Sequence, residues 1–254
     1  MSAIPRCCAT LLLAAALAAG AASAQTRSDA AREKRWADQV VPGLVVGDAV
    51  ELRTADGSRF LALYAPAKRA KGAVLLAHGP GLHPDHGITG ELRVSLFDRG
   101  YSTLSLQMPV LSAEVDDGEA YRKLFPEAAR RIASGMQYLK GEGADRIALV
   151  SHAMGSSMTY DYLRQNRGAP VSGWAALSYY GVFEEMKGAN FPILDLYGAS
   201  DFRGIRGPAA ERAQILRTLP GSKQLAAPEG GRFLAGGEKT VLREVAAFLD
   251  SLAR

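Results

Sequence analysis

The stretch from Arg146 to Arg164 constrains this chain more than any other. Arg146-Ile147-Ala148-Leu149-Val150 is a short, nearly all-apolar run, as expected of a strand buried on both faces. It passes through Ser151-His152-Ala153-Met154-Gly155 directly into a helical pattern at Ser156–Arg164. Small residues at 151 and 155, two before and two after Ala153, permit a turn tight enough to bring the backbone segments into contact. A strand, a tight turn and a helix in 19 residues demand a sheet with helices on its faces.

The order of segments around this unit agrees. Val50–Arg53 and Phe60–Tyr64 alternate about the turn Ala55-Asp56-Gly57, which is a hairpin signal. Ala73–Ala77 is a second continuous apolar run, ending in His78-Gly79. Strand and helix patterns then alternate: helix at Ile88–Asp98, strand at Tyr101–Leu106, helix at Pro126–Lys140. Beyond the turn come strands at Val171–Leu177, Ile193–Tyr197 and Lys223–Ala226, a helix at Ala209–Leu216, and a closing helix at Lys239–Leu252 with Val241, Val245, Phe248 and Leu252 on one stripe. The predicted class is α/β, a doubly wound, mostly parallel sheet with a leading antiparallel hairpin. The segment between Tyr179 and Asn190 is short, so no sizeable cap is expected.

The first residues read as an export signal: a basic start through Arg6, an Ala/Leu run from Thr10 to Ala22, and the small-residue pattern Ala22-Ser23-Ala24, with cleavage between Ala24 and Gln25. The run is too short for a membrane span, and no cysteine follows it for acylation. The expected organisation is a signal at 1–24, an N-terminal helical extension at 25–46 and one domain at 47–254, in a periplasmic or secreted protein without a membrane anchor. Both cysteines, Cys7 and Cys8, fall inside the signal. This excludes a catalytic thiol, a thiolate metal site and a disulfide scaffold from the remainder. Charge is nearly balanced, 30 basic against 26 acidic residues. Arg27, Arg32, Lys34 and Arg35 interleave with Asp29, Glu33 and Asp38, as on a solvated helix face, and no nucleic-acid patch is predicted.

Ser151–Gly155 resembles the Gly-x-Ser-x-Gly elbow of the α/β-hydrolase superfamily, with Ala153 at the nucleophile position. The resemblance covers most of the chain after the signal. His78-Gly79 resembles the oxyanion loop, and Leu104–Pro109 the next strand end. Trp36–Leu52, His83-Pro84-Asp85 and Ser151–Gly155 are similar to a secreted proteobacterial branch of unassigned substrate. The resemblance places the triad acid at Asp201. It places the histidine near Glu229–Leu234, where Arg232 stands in its position. The four histidines are His78, His83, His86 and His152, all before Asp201. One oxyanion donor would be the amide of Met154. The second would come from residue 80, but Pro80 has no N–H.

A methyl group cannot attack a carbonyl, and a guanidinium cannot accept a proton at neutral pH. Losing the nucleophile or the base of a triad lowers rates by about 10⁶. The expected function is therefore an exported pseudo-hydrolase that binds a small molecule or a partner, without cofactor or metal. The alternative is an esterase-like hydrolase or lyase using non-standard groups around Asp201 and His152. Ser151 and Ser156 flank the turn but do not project from it, and His152 reads as a packed neighbour. His78, His83, Asp85 and His86 carry ligand types for Zn²⁺ or Cu²⁺ within nine residues. The oxyanion-loop role of His78 and the rigidity at Pro84 explain that loop without a metal. Asp201 and Arg232 are candidates to pair where a triad would stand, and Arg232 could hold a carboxylate or phosphate. Asp195 is expected to be structural. Tyr179, Tyr180 and Phe183 follow a strand end and are candidates to line the cleft.

Overall fold

The computed structural model describes residues 27–115 and 118–252. The predicted signal, with Cys7 and Cys8, lies outside the described residues. In chain order the elements are α1 (Ala30–Val40), β1 (Asp48–Arg53), β2 (Arg59–Ala65), β3 (Ala73–Ala77), α2 (Gly87–Asp98), β4 (Ser102–Leu106), α3 (Phe125–Gly141), β5 (Ile147–His152), α4 (Met154–Gln165), β6 (Gly173–Leu177), β7 (Ile193–Gly198), α5 (Arg203–Arg206), α6 (Ala209–Leu216), β8 (Lys223–Ala227) and α7 (Glu238–Leu252).

The strands form one eight-stranded sheet in the order β1-β2-β4-β3-β5-β6-β7-β8. β1 and β2 pair antiparallel, β2 joins β4 antiparallel, and the other pairs are parallel. The alternation of β3 divides the core. Leu75 and Ala77 face a layer with Ile132, Met136 and Met158 from α3 and α4, whereas Val74 and Leu76 face Leu92, Leu96, Val241 and Val245 from α2 and α7. Burial on both faces explains the unbroken apolar runs of β3 and β5. Helix α3 approaches the sheet closely at Gly135, where a Cβ would lie 2.8 Å from Leu75 Cδ1. Among the described residues no helix is long and apolar enough to cross a membrane.

Helix α1 departs from the fully solvated face predicted for it. Lys34, Arg35 and Asp38 are exposed, but Arg32 and Glu33 turn inward. Arg32 donates to the carbonyls of Leu111 (2.8 Å) and Gly81 (3.2 Å). Glu33 pairs at 2.9 Å with Arg131 of α3, which also pairs with Glu127 at 2.5 Å. Burial raises the Glu33 pKa, against the lowering effect of the Arg131 charge. Arg131 lies about one helical turn from Glu127, so its guanidinium serves both carboxylates and the carbonyl of Gln107 (2.7 Å). Charge alternation along α1 signalled solvent, and it concealed this one buried network because the partners are about 100 residues away.

Candidate functional site

The turn after β5 has the tight geometry its small residues demand. Ala153 sits at φ 52°, ψ −117°, a conformation that L-residues rarely adopt. A Cβ on Gly155 would lie 2.4 Å from the His78 carbonyl oxygen and 2.5 Å from that of Ala77, so only glycine fits there. Ser151 Oγ accepts the indole N–H of Trp174 at 2.7 Å, and Ser156 Oγ donates to the carbonyls of Ser151 (2.8 Å) and Leu177 (3.1 Å). Both serines are buried and engaged in holding the turn, so neither is a substitute nucleophile.

Above Ala153 opens a cleft of about 950 Å³, within the size range of ligand pockets. Ala153, Met154 and Pro80 line it near the turn; Tyr179 and Tyr180 line it from the β6 end, as predicted. Phe183 is fully buried against Trp174 and Tyr179 and belongs to the core. The face of α4 runs along the cleft as Ser157, Tyr160, Asp161 and Arg164, at offsets of four, seven, eight and eleven from Ala153. That spacing is a helical stripe and was available in the sequence. Tyr121, Arg122 and Phe125 complete the far wall. They come from the irregular approach to α3, where no periodic pattern marks them. Ser157 is the serine that borders the cleft, and no general base accompanies it: among the described residues no histidine lines this space.

His78 and His152 are both buried and neutral. His78 Nδ1 lies 2.8 Å from the carbonyl oxygen of Gly79, and its Nε2 accepts the amide of Met108 at 2.9 Å. An amide can only donate, so Nε2 carries the lone pair and Nδ1 the proton. Burial pushes the His78 pKa down to about 3. The histidine joins the loop after β3 to the end of β4. His152 Nε2 lies 3.2 Å from the carbonyl oxygen of Phe233 and must donate to it, and burial lowers this pKa to about 4. Gly79, in the loop after β3, approaches both His152 and Ala153. Pro80 offers the cleft no N–H; Met154, first in α4, is left as the amide donor beside Ala153.

Asp201 lies beyond β7 and is buried. Its carboxylate accepts Ser178 Oγ at 2.7 Å, the amide of Phe202 at 3.0 Å and the amide of Phe233 at 3.1 Å. Pairing of Asp201 with Arg232 does not occur. The Arg232 guanidinium instead lies over the rings of Phe202 (4.8 Å) and Phe233 (5.4 Å) and is exposed. Of the two neighbours, Phe233 and not Arg232 lines the cleft. Phe233 contacts Asp201 through its amide, touches His152 edge to face at 5.9 Å, and lines the cleft with Ala153. Phe233 and Leu234 both have positive φ, 54° and 68°. This left-handed pair rotates the side chains relative to a regular loop, and sequence distance alone could not foresee it.

The loop of His83, Asp85 and His86 is tied down by Arg93 and by ring contacts. Asp85 Oδ1 accepts Nε and Nη2 of the buried Arg93, at 2.9 and 2.7 Å, while His83 contacts His86 and Trp36 through its ring. Among the described residues no group of three His, Cys, Asp or Glu side chains is arranged to hold a metal ion. Asp195 is fully buried, paired with Arg212 at 2.7 Å and bonded to Gln224 at 2.8 Å.

The family model for a protein of unknown function, DUF3530, matches residues 4–121. No curated protein matches the chain. Among solved structures, a dienelactone hydrolase from Anabaena variabilis is similar with a TM-score of 0.66 at 15% identity, over 80% of this chain and 96% of that one. An esterase from Pyrococcus furiosus has a TM-score of 0.66 at 14% identity, over 82% and 97%. A protein of unknown function from Agrobacterium tumefaciens, described as a putative alpha/beta hydrolase, has a TM-score of 0.64 at 15% identity, over 80% and 94%. At these identities the likeness is one of architecture, and together with the strand order and the turn at Ala153 it assigns the chain the α/β-hydrolase fold.

Proposed function

We propose that this chain is an exported α/β-hydrolase-fold protein that binds a small molecule in the cleft above Ala153 without covalent serine catalysis. The observation that carries this reading is the methyl group of Ala153 on a turn whose nucleophile geometry is intact. Three further features support it. The acid Asp201 spends its lone pairs on Ser178 and two backbone amides. Phe233 offers no base where it borders the turn. Pro80 withholds an oxyanion donor. The cleft itself keeps the size and aromatic lining of a binding pocket. Export rests on the signal pattern of residues 1–24 and places the protein in the periplasm or outside the cell.

The alternative, a hydrolase or lyase built around Asp201 and His152, lacks a base with access to the cleft: both groups are buried, and neither lines it. A fluorophosphonate probe and a panel of short-chain p-nitrophenyl esters test the proposal. Neither labelling nor turnover above background is expected. Labelling at Ser157, or turnover lost in Asp201→Ala but kept in a folding control, would overturn it.

A further inference from the structure

Arg122 and Arg164 line the cleft, a third arginine, Arg232, lies over two of its lining rings, and the three differ in what they already hold. Arg122 is paired with Glu119 at 2.7 Å, and Arg164 with Asp161 at 2.5 Å. The Arg232 guanidinium has neither ion pair nor hydrogen bond among the described residues; it lies over the faces of Phe202 and Phe233. Both rings line the cleft, and they touch each other edge to face at 4.8 Å. A guanidinium stacked on aromatic planes loses rotamer freedom but keeps its in-plane N–H donors available, the arrangement that suits a bidentate anion.

We propose that the cleft takes an arylalkyl or similarly apolar monocarboxylate, with the apolar body against Tyr180, Phe202 and Phe233 and the carboxylate on Arg232. This rests on the non-covalent binding reading above and gives it a ligand class. The aromatic walls supply apolar area and ring contacts for the body. The fixed guanidinium at the rim supplies the charge, and no carboxylate of the protein competes for it. The two arginines that line the cleft both carry acidic partners, so they offer an anion no comparable advantage. The clamp on Phe233 contributes to the site: Asp201 and His152 bind its amide and its carbonyl, so the ring that carries Arg232 is held from two sides. Asp201 and His152 are in this sense positioning residues.

The test compares two probes of equal shape, 4-phenylbutyrate and 4-phenylbutan-1-ol, by isothermal titration calorimetry. The purified full chain is expected to bind the carboxylate about tenfold or more tightly than the alcohol. In Arg232→Gln the two affinities should fall within about twofold of one another, with the alcohol unchanged. Arg232→Lys should keep part of the discrimination, and Phe233→Ala should weaken both probes. Arg232 is exposed, and an unchanged melting temperature in Arg232→Gln will separate lost recognition from lost folding. Equal binding of the two probes by the native chain, discrimination that survives Arg232→Gln, or no binding of either probe would each overturn the proposal. Equal binding leaves the non-covalent reading standing, whereas serine labelling or ester turnover would sink that reading whatever the two probes do.

Discussion

The carboxylate of Asp201 accepts the backbone amide of Phe233 at 3.1 Å, so the acid that follows β7 holds the turn that carries a cleft-lining ring. The same carboxylate takes the Ser178 hydroxyl and the Phe202 amide. Removing it leaves three buried donors without an acceptor and frees a turn with two left-handed residues, Phe233 and Leu234. Asp201→Ala should therefore destabilise the protein by about 3 kcal/mol. Asp201→Asn retains an acceptor oxygen and should lose roughly half as much. Urea unfolding of the two variants checks the order; equal stability of Asp201→Ala and the parent would show that the carboxylate does not hold the turn.

The two buried histidines make stability depend on pH. His78 and His152 have pKa values lowered to about 3 and about 4 by burial, against 6.5 for a free imidazole. Between those limits the unfolded chain binds protons that the folded chain does not. Their contribution is complete above pH 6.5 and is lost as pH falls toward the folded values, by about 1.4 kcal/mol per pH unit for each group. Glu33 acts in the opposite direction, because its folded pKa is raised and its contribution fades as pH rises through that value. The urea midpoint should be lower at pH 5.5 than at pH 7.5. His152→Gln should flatten this fall by about one proton.

Much of this architecture was legible because burial on both faces of a parallel sheet leaves a continuous apolar run. β3 was predicted at Ala73–Ala77 and α6 at Ala209–Leu216, and both are found with those bounds. The turn at 151–155 was equally readable, since Gly155 packs on the carbonyls of Ala77 and His78. What sequence could not supply was the direction of side chains in irregular loops. Arg232 and Phe233 are adjacent, and only the left-handed backbone at Phe233 decides which of them lines the cleft. Tyr121, Arg122 and Phe125 were missed for a related reason, because the approach to α3 has no period from which a facing side can be read.

Arg131 joins the N-terminal helix to the domain, and its removal should release that helix. The guanidinium is buried and serves Glu33 on α1 together with Glu127 on its own helix. In Arg131→Met both acids lose their counter-charge in a poorly solvated place, a loss of about 3–5 kcal/mol for a buried pair. Adding Glu33→Gln should recover part of it, since one of the two uncompensated charges is then gone. Hydrogen exchange at Ala30–Val40 reports the release directly. Amides of α1 that stay as protected as in the parent would show that Arg32 alone, through Gly81 and Leu111, is enough to dock it.

The turn at Ala153 permits a direct test of the proposed absence of serine catalysis. Its backbone, at φ 52° and ψ −117°, is unfavourable for any residue with a Cβ. Ala153→Gly should thus stabilise the protein by up to about 1 kcal/mol, less the added entropy of an unfolded glycine. Ala153→Ser restores a hydroxyl on the intact turn but has no base to accept its proton, and ester turnover should remain at background. Phe233 lines the cleft, whereas Arg232 lies over the lining rings, so we place the base of a restored site at residue 233. Ala153→Ser with Phe233→His should therefore exceed the single variant by about 10²-fold in fluorophosphonate labelling rate, at the lower end of what a positioned base contributes. Ala153→Ser with Arg232→His should match the single variant. If the Arg232 pair proved the faster, the orientation of the 231–234 turn described above would be wrong. If both pairs stayed at background, the missing donor at Pro80 would be the barrier, and Pro80→Ala in the Phe233→His background would then restore labelling.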